Sequence, residues 1–341
     1  MSTTQPAPIV VTGTAGFIGH HTAMAFIAAG RDVVGIDNVN AYYDVRLKRA
    51  RLRRLTDTGR FTFHELDLKE HERVRRVVGD SGASCVIHLA AQAGVRHSLT
   101  HPEVYVQSNL VGFANMLEMA RHFEVQHLVY ASTSSVYGAN TNVPFGEEQH
   151  TAHPLTLYAA TKKANEVMAH SYAHLFRLPC TGLRFFTVYG PWGRPDMALF
   201  KFTRNILRGE PIELFNHGNH TRDFTYIDDI AEGVVRAMRQ PAAPDPAYDP
   251  AAPSPAISAA PYRIYNIGSQ RPVALTRYVE LIEACVGRKA IVNSLPMQPG
   301  DVPDTYANVD RLARDVHYRP TTSVETGVSN FVAWYRDFYG E

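Results

Sequence analysis

The sequence predicts an α/β fold: a doubly wound parallel sheet with helices on both faces, followed by a smaller C-terminal α/β lobe. Three observations carry this expectation. Short β-branched runs alternate with helical stretches through the first 190 residues, which requires crossover connections and hence parallel strands. A glycine-rich turn lies directly between the first strand and the first helix. Beyond about residue 190 the elements shorten and the alternation loosens. With 341 residues, 45% of them apolar and 20% charged, the chain can bury a large core and does not read as disordered.

Ile9-Val10-Val11-Thr12 is read as the first strand, followed by a helix near Gly19–Ala29. Asp32–Asp37, Thr62–Leu66, Cys85–Ala91, His127–Ser132 and Thr181–Phe186 continue the strand series. Helices are expected over 103–123 and 158–177. The first starts after Pro102 and carries Val106, Leu110, Phe113, Leu117 and Ala120 at helical spacing. Residues 1–190 form the large domain in this reading, with segments near 222–240 and 262–270 returning to it, and 191–341 mainly form the lobe. The Pro/Ala-rich stretch 241–261 reads as a mobile surface loop, because strand-like residues 262–268 follow at once.

Composition excludes several roles. A formal charge of +1 gives no global attraction for nucleic acid or an anionic membrane. The run Arg46–Arg54 is read as a solvated face or a neighbour of adenosine phosphates. No apolar stretch reaches the length of a membrane span, and Met1–Pro8 lacks the apolar core of a leader, so a cytoplasmic protein is expected. Cys85, Cys180 and Cys285 are widely spaced and read as free thiols. No metal site is expected from the histidines.

Gly13-Thr14-Ala15-Gly16-Phe17-Ile18-Gly19 carries the first chemical argument. Gly13 permits the tight turn, Gly16 lets backbone N–H groups approach a pyrophosphate, and Gly19 allows close helix–sheet packing. The helix N-terminus then faces the phosphates, as in Rossmann-type folds. Asp37 ends the second strand, where a carboxylate accepts hydrogen bonds from ribose hydroxyls and repels a 2′-phosphate, so NAD is favoured over NADP.

Tyr158-Ala159-Ala160-Thr161-Lys162 is the second anchor, since residues four apart share a helical face. A free tyrosine, with pKa about 10, is a poor base at neutral pH; lowering it to about 7 takes roughly 4 kcal/mol, which a nearby ammonium and a positive nicotinamide can supply. Tyr158 then takes a hydroxyl proton while hydride leaves the same carbon.

The glycine spacing and the Tyr–Lys pair together resemble the extended short-chain dehydrogenases/reductases (the NAD-dependent epimerase/dehydratase family) over nearly the whole chain. The resemblance implies cofactor contacts from Phe17, Ile18, Asn38, Asn40, Asp67, Leu68, Leu89, Ala90, Ala91, Gln92, Asn109 and Phe185. It also implies that Lys162 holds the nicotinamide ribose and that Thr133 bonds the reacting oxygen. Dehydratases of the family carry an acid pair after that Thr, and decarboxylases commonly a Glu before Val-Tyr-Gly. Ser134 and Ser135 stand there instead, which points to re-reduction of a 4-keto sugar and hence epimerisation.

Phe185-Phe186-Thr187-Val188-Tyr189-Gly190-Pro191-Trp192-Gly193-Arg194-Pro195-Asp196-Met197-Ala198 resembles the signature of UDP-glucuronate 4-epimerases. The resemblance implies that Ser134, Ser135 and Thr187 bind a sugar carboxylate. It places Arg194 in the substrate site and Arg222 on a phosphate. Arg96, in Ala90-Ala91-Gln92-Ala93-Gly94-Val95-Arg96, reads either as a charge near the sugar or its phosphates or as a loop arginine paired with a local acid. Asp301 would hold the ribose, with Leu199, Phe200 and Phe215 around the uracil. A homodimer is implied, with helices 103–123 and 158–177 at the interface. The alternatives are a 4-epimerase of neutral UDP-hexoses, a UDP-glucuronate decarboxylase, and an NAD-sensing regulatory protein without catalysis.

Overall fold

The computed structural model describes residues 6–341, so the reading of Met1–Pro8 lies outside the described residues as far as Gln5. In chain order, β1 (Ile9–Thr12), α1 (Phe17–Ala28), β2 (Val33–Asp37), α2 (Val45–Thr56), β3 (Phe61–Glu65), α3 (His71–Ser81) and β4 (Cys85–His88) build the first half of the sheet. The short turns α4 (His97–Thr100) and α5 (Pro102–Tyr105) lead through a π-helical stretch, Val106–Val111, into α6 (Gly112–His122). β5 (His127–Thr133), α7 (Leu157–Phe176) and β6 (Cys180–Phe185) follow. The remaining elements are β7 (Thr187–Tyr189), α8 (Ala198–Arg208), β8 (Pro211–Leu214), β9 (Thr221–Tyr226), α9 (Ile227–Met238) and β10 (Tyr262–Ile267). The chain closes with β11 (Pro272–Ala274), α10 (Leu275–Val286), β12 (Ile291–Ser294), α11 (Asp310–Val316) and α12 (Val324–Tyr339).

Seven parallel strands form the main sheet in the order β10-β6-β5-β4-β1-β2-β3. Alternate residues point to opposite faces. Val11, Ile87, Val129 and Leu183 join one apolar core with α1 and α9, whereas Val10, Val86, Leu128 and Tyr130 join another under α6 and α7. The strand order reverses between β1 and β4, and a crevice opens there at the carboxyl ends of the strands.

Several elements depart from the sequence reading. β4 ends at His88, because Leu89–Gln92 leave the sheet to line the crevice. The expected helix over 103–123 contains the π-helical turn, so its buried face begins with Tyr105 and Asn109 while Val106 is exposed. Of the segment 222–240, β9 pairs with β7 and β11 in a separate three-stranded sheet, and only α9 comes back to pack on α1. The 241–261 loop is anchored in its second half. Ala256 and Ala260 are buried, Ile264 N–H donates to Ala256 O at 3.0 Å, and Ser258 meets His170 at 2.9 Å. Among the described residues no helix is long and apolar enough to cross a membrane.

Candidate active site

A cleft of about 1120 Å³ runs from the β1–β4 crevice across the ends of β5 and β6 to α8, β8 and β9. At its dinucleotide end the backbone leaves no room for side chains. Gly13 has φ +80°, and a Cβ there would lie 2.8 Å from Ala90 N; at Gly19 it would lie 2.0 Å from Gly13 O. Gly16 N–H donates to Gly13 O at 2.9 Å and opens α1, whose first turn, with Phe17, Ile18 and Gly19, faces the cleft. Asp37 is held by Ala15 N–H at 3.0 Å and Val39 N–H at 2.8 Å. Burial pushes its carboxyl up, against those two bonds and the charge of Lys48. Asn38 donates to Asp67 at 3.1 Å, and Leu68, Leu89, Ala90, Ala91 and Gln92 complete the wall. Asn40 lines the cleft too and accepts two bonds from Lys48 Nζ, both 2.8 Å.

Two expectations at this end need correction. Asn109 does not line the cleft. It braces the Gln92 loop from behind, accepting Gln92 N–H at 2.8 Å and donating to Gln92 O at 3.1 Å. Asn165 Nδ2 on α7 donates to the Asn109 carbonyl at 2.6 Å and ties this π turn to that helix. The basic run 46–54 is not simply a solvated face either, because α2 turns Lys48 and Arg51 inward. Arg51, fully buried, donates to Ala15 O at 2.9 Å and Gly193 O at 3.0 Å, tying the glycine turn to the Trp192–Arg194 segment.

At the centre of the cleft, Tyr158 and Lys162 stand one turn apart on α7, opposite Thr133, Ser134 and Ser135 at the end of β5. Thr156 caps that helix by accepting Ala159 N–H at 3.3 Å. Thr133 Oγ1 accepts Ser135 N–H at 3.2 Å, which fixes its rotamer. Lys162 is buried at 1% exposure, and burial pulls its ammonium down to about 7 against the raising influence of Glu166. The expected fall of Tyr158 is not supplied by the protein alone. Burial pushes the phenol up, opposed by the Thr133 hydroxyl and the Arg194 charge. Phe185, Thr187 and Arg194 also line this part, and Arg194 Nε pairs with Asp196 at 3.0 Å. Among the described residues the carboxylates on the wall are Asp37, Asp67, Asp196, Glu213 and Asp301, none of them in the 131–135 segment.

At the far end Arg96 bridges to Asp301 at 3.1 Å and lies over the Phe215 ring at 4.8 Å. Arg222 donates to Pro303 O at 2.6 Å and Val302 O at 2.8 Å. Leu199 and Phe200 do not line this cleft. Phe200 packs among Phe331, Trp334, Tyr335 and Tyr339 in the lobe core, with Leu199 beside it. The opposite face of α8 meets the cleft, through Ala198, Lys201, Phe202 and Asn205, with Arg204 beside them. Both faces of α8 carry aromatic residues, Phe200 on one and Phe202 on the other, so helical spacing alone does not choose the face that meets the cleft. Among the described residues no three His, Cys, Asp or Glu are grouped to hold a metal.

A glycine cradle that any Cβ would fill, an acid at the end of β2, and a half-buried Tyr158 beside the buried Lys162 fit NAD and define a nicotinamide-dependent enzyme. The chain belongs to the NAD dependent epimerase/dehydratase family, whose model matches residues 9–268. NAD is its cofactor. It is 53% identical to Protein CapI of Staphylococcus aureus, covering 97% of this chain and 99% of that one. It is 49% identical to a probable UDP-glucuronate 4-epimerase of Rhizobium meliloti, covering 97% of each. Among solved structures, UDP-glucuronic acid 4-epimerase of Bacillus cereus in complex with UDP-glucuronic acid and NAD superposes with a TM-score of 0.87 at 31% identity, over 97% of this chain and 100% of that one.

Proposed function

We propose that this chain is a UDP-glucuronate 4-epimerase, an NAD-dependent nucleotide-sugar isomerase that interconverts UDP-glucuronate and UDP-galacturonate through a transient 4-keto sugar. The observation that carries this reading is the wall beside Tyr158: the hydroxyls of Thr133, Ser134, Ser135 and Thr187, with no carboxylate from that stretch. Elimination needs an acid and a base at that place; re-reduction of a ketone does not. The similarity to the R. meliloti and B. cereus proteins supports the same substrate.

Held by the Gly13–Gly19 turn, Asp37 and Lys162, NAD would supply the hydride acceptor and donor for C4. Tyr158 removes the O4 proton and gives it back, with Thr133 hydrogen-bonding that oxygen. Since burial alone raises the phenol, positive charge beside it must favour the phenolate, and Lys162 and Arg194 are the chain's contributions. Ser134, Ser135 and Thr187 grip the sugar carboxylate. A 4-keto-hexuronate is a β-keto acid that loses CO₂ when its carboxylate stands perpendicular to the ketone plane, so this grip protects the intermediate. Arg222, Arg96, Lys201 and Arg204 line the end assigned to the diphosphate and nucleoside. Exposed Val167, Leu175 and Phe176 on α7 support a homodimer.

The test is incubation of the purified protein with UDP-glucuronate and no added NAD. UDP-galacturonate is expected, with UDP-glucose turned over more slowly. Faster turnover of UDP-glucose would move the assignment to neutral hexoses, and loss of CO₂ from the product would move it to a decarboxylase. CO₂ release unchanged in Thr187→Ala would remove the carboxylate grip from that residue.

A further inference from the structure

We propose that the buried Glu166–Arg184 ion pair is the positioning element of this site, setting the register between the helix that carries Tyr158 and Lys162 and the strand ends that carry Thr133 and Thr187. The inference rests on the reading of Tyr158–Lys162 as the oxidising pair.

Both side chains are fully buried. A buried ion pair is a poor device for stability, because desolvation offsets the attraction and apolar residues of similar volume often serve as well. Its geometry suggests another use. Arg184 Nε donates to Glu166 Oε1 at 2.8 Å and Nη2 to Oε2 at 3.0 Å, so a planar fork grips a planar carboxylate and fixes angle as well as distance. Burial pushes Glu166 up, but Arg184 outweighs it and holds the carboxyl at about 2.

The pair touches each segment that builds the catalytic wall. Glu166 follows Lys162 by one turn, as Lys162 follows Tyr158, so the three share a stripe of α7. Ser132, directly before Thr133, donates to Glu166 Oε1 at 2.7 Å. Arg184 directly precedes Phe185 on β6 and stands three residues before Thr187. Its Nη1 donates to Tyr137 Oη at 3.0 Å, at the end of the turn that starts with Ser134 and Ser135. The ladder already fixes β5 against β6, with Ser132 opposite Arg184 and Thr133 opposite Phe185. A ladder does not fix how far a helix slides or rotates on the sheet. Side-chain contacts do, and this pair is a two-pronged one placed a turn from Lys162. Glu166 is also the counter-charge of Lys162, and it takes a second cation, Lys163, whose Nζ lies 3.2 Å from Oε2. The buried Tyr130 and Tyr262 phenols face Glu166 as well, while Lys162 has Tyr158 one turn away on its own helix and His88 on β4, which burial keeps neutral.

The test uses the holoprotein with Glu166→Gln, and with the double change Glu166→Gln/Arg184→Met, which avoids leaving Arg184 as an unpaired buried charge. The expected result is a fall in kcat of about 10²-fold, the cost of a misplacement near 1 Å, with KM, NAD content and calorimetric UDP affinity kept. The pH midpoint for acetylation of Lys162, read by peptide mass spectrometry, should move down. A folded double variant with normal kcat and an unmoved Lys162 midpoint overturns the proposal. So does loss of kcat, NAD and UDP binding together, which would mark a merely structural pair. If neither variant folds, Ser132→Ala carries the test: kcat should fall with KM unchanged, and a normal kcat overturns it. If the wild-type chain does not turn over UDP-glucuronate, the functional assignment fails, and the Lys162 midpoint still decides the role of the pair.

Discussion

Gly19→Ala is a one-methyl perturbation whose effect can be worked from the turn itself. Gly19 lies in α1 with helical backbone, so alanine meets no conformational penalty there and the cost is steric. The new Cβ would sit 2.0 Å from Gly13 O, 2.6 Å from Gly13 C and 3.2 Å from Thr14 Cα. Ordinary contact begins near 3.5 Å, so α1 must back away from the turn by about 1.5 Å. Gly13 cannot yield instead, since its N–H is bonded to Ile36 O at 2.7 Å and its carbonyl accepts Gly16 N–H at 2.9 Å. Overpacking costs about 1–3 kcal/mol, and loss of the turn hydrogen bond about 1 kcal/mol more. If that distortion falls on the pyrophosphate site, 2–4 kcal/mol corresponds to roughly 30- to 1,000-fold weaker NAD binding. The assay is the NAD recovered per chain from purified protein, followed by calorimetric titration of NAD into stripped enzyme. A variant that keeps stoichiometric NAD and normal affinity would refute the reasoning.

Tyr158→Phe should keep NAD and UDP-sugar binding while turnover drops by about 10²–10⁴-fold, the usual share of general acid–base catalysis; near-normal rates sink the mechanism. Phe200→Ala should cost about 3–5 kcal/mol in urea unfolding, because its ring is 5.1 Å from Tyr335 and 5.7 Å from Tyr339. KM for UDP-glucuronate should stay within about two-fold of normal in that variant, and a large KM rise with normal stability would return Phe200 to the nucleotide site. His127 is buried between Met238 O at 2.9 Å and Thr181 Oγ1 at 2.8 Å, and burial pulls it to about 4. Between about pH 6.5 and 4 the unfolded chain therefore binds the extra proton, so stability present above 6.5 is lost as pH falls, by about 3 kcal/mol. Urea midpoints should drop over that range and drop less in His127→Gln; parallel slopes would remove His127 as the cause.

The sheet, the glycine turn and the Tyr158–Lys162 helix were all legible because each is written in neighbouring residues. Alternation, a turn between strand and helix, and a four-residue spacing need no knowledge of what lies across the fold. The resemblance misled on Leu199 and Phe200, which share helix α8 with the residues that face the cleft. Spacing says which residues share a face, and tertiary contact says which face meets α12 and which meets the cavity. Asn109 was displaced behind the wall by a π turn that no composition signalled. Arg51 looked like one arginine of a basic run, yet its partners Ala15 and Gly193 lie 36 and 142 residues away. The environment of the catalytic pair was equally out of reach. Lys162 beside Tyr158 suggested a lowered phenol, but the burial that raises it comes from the packing of several segments around the cleft. The sequence by itself therefore determined the fold class, the cofactor turn and the reactive pair, which are set by local backbone geometry. Only the tertiary structure decided burial, charge state and register at the site, because those depend on groups brought together from distant parts of the chain.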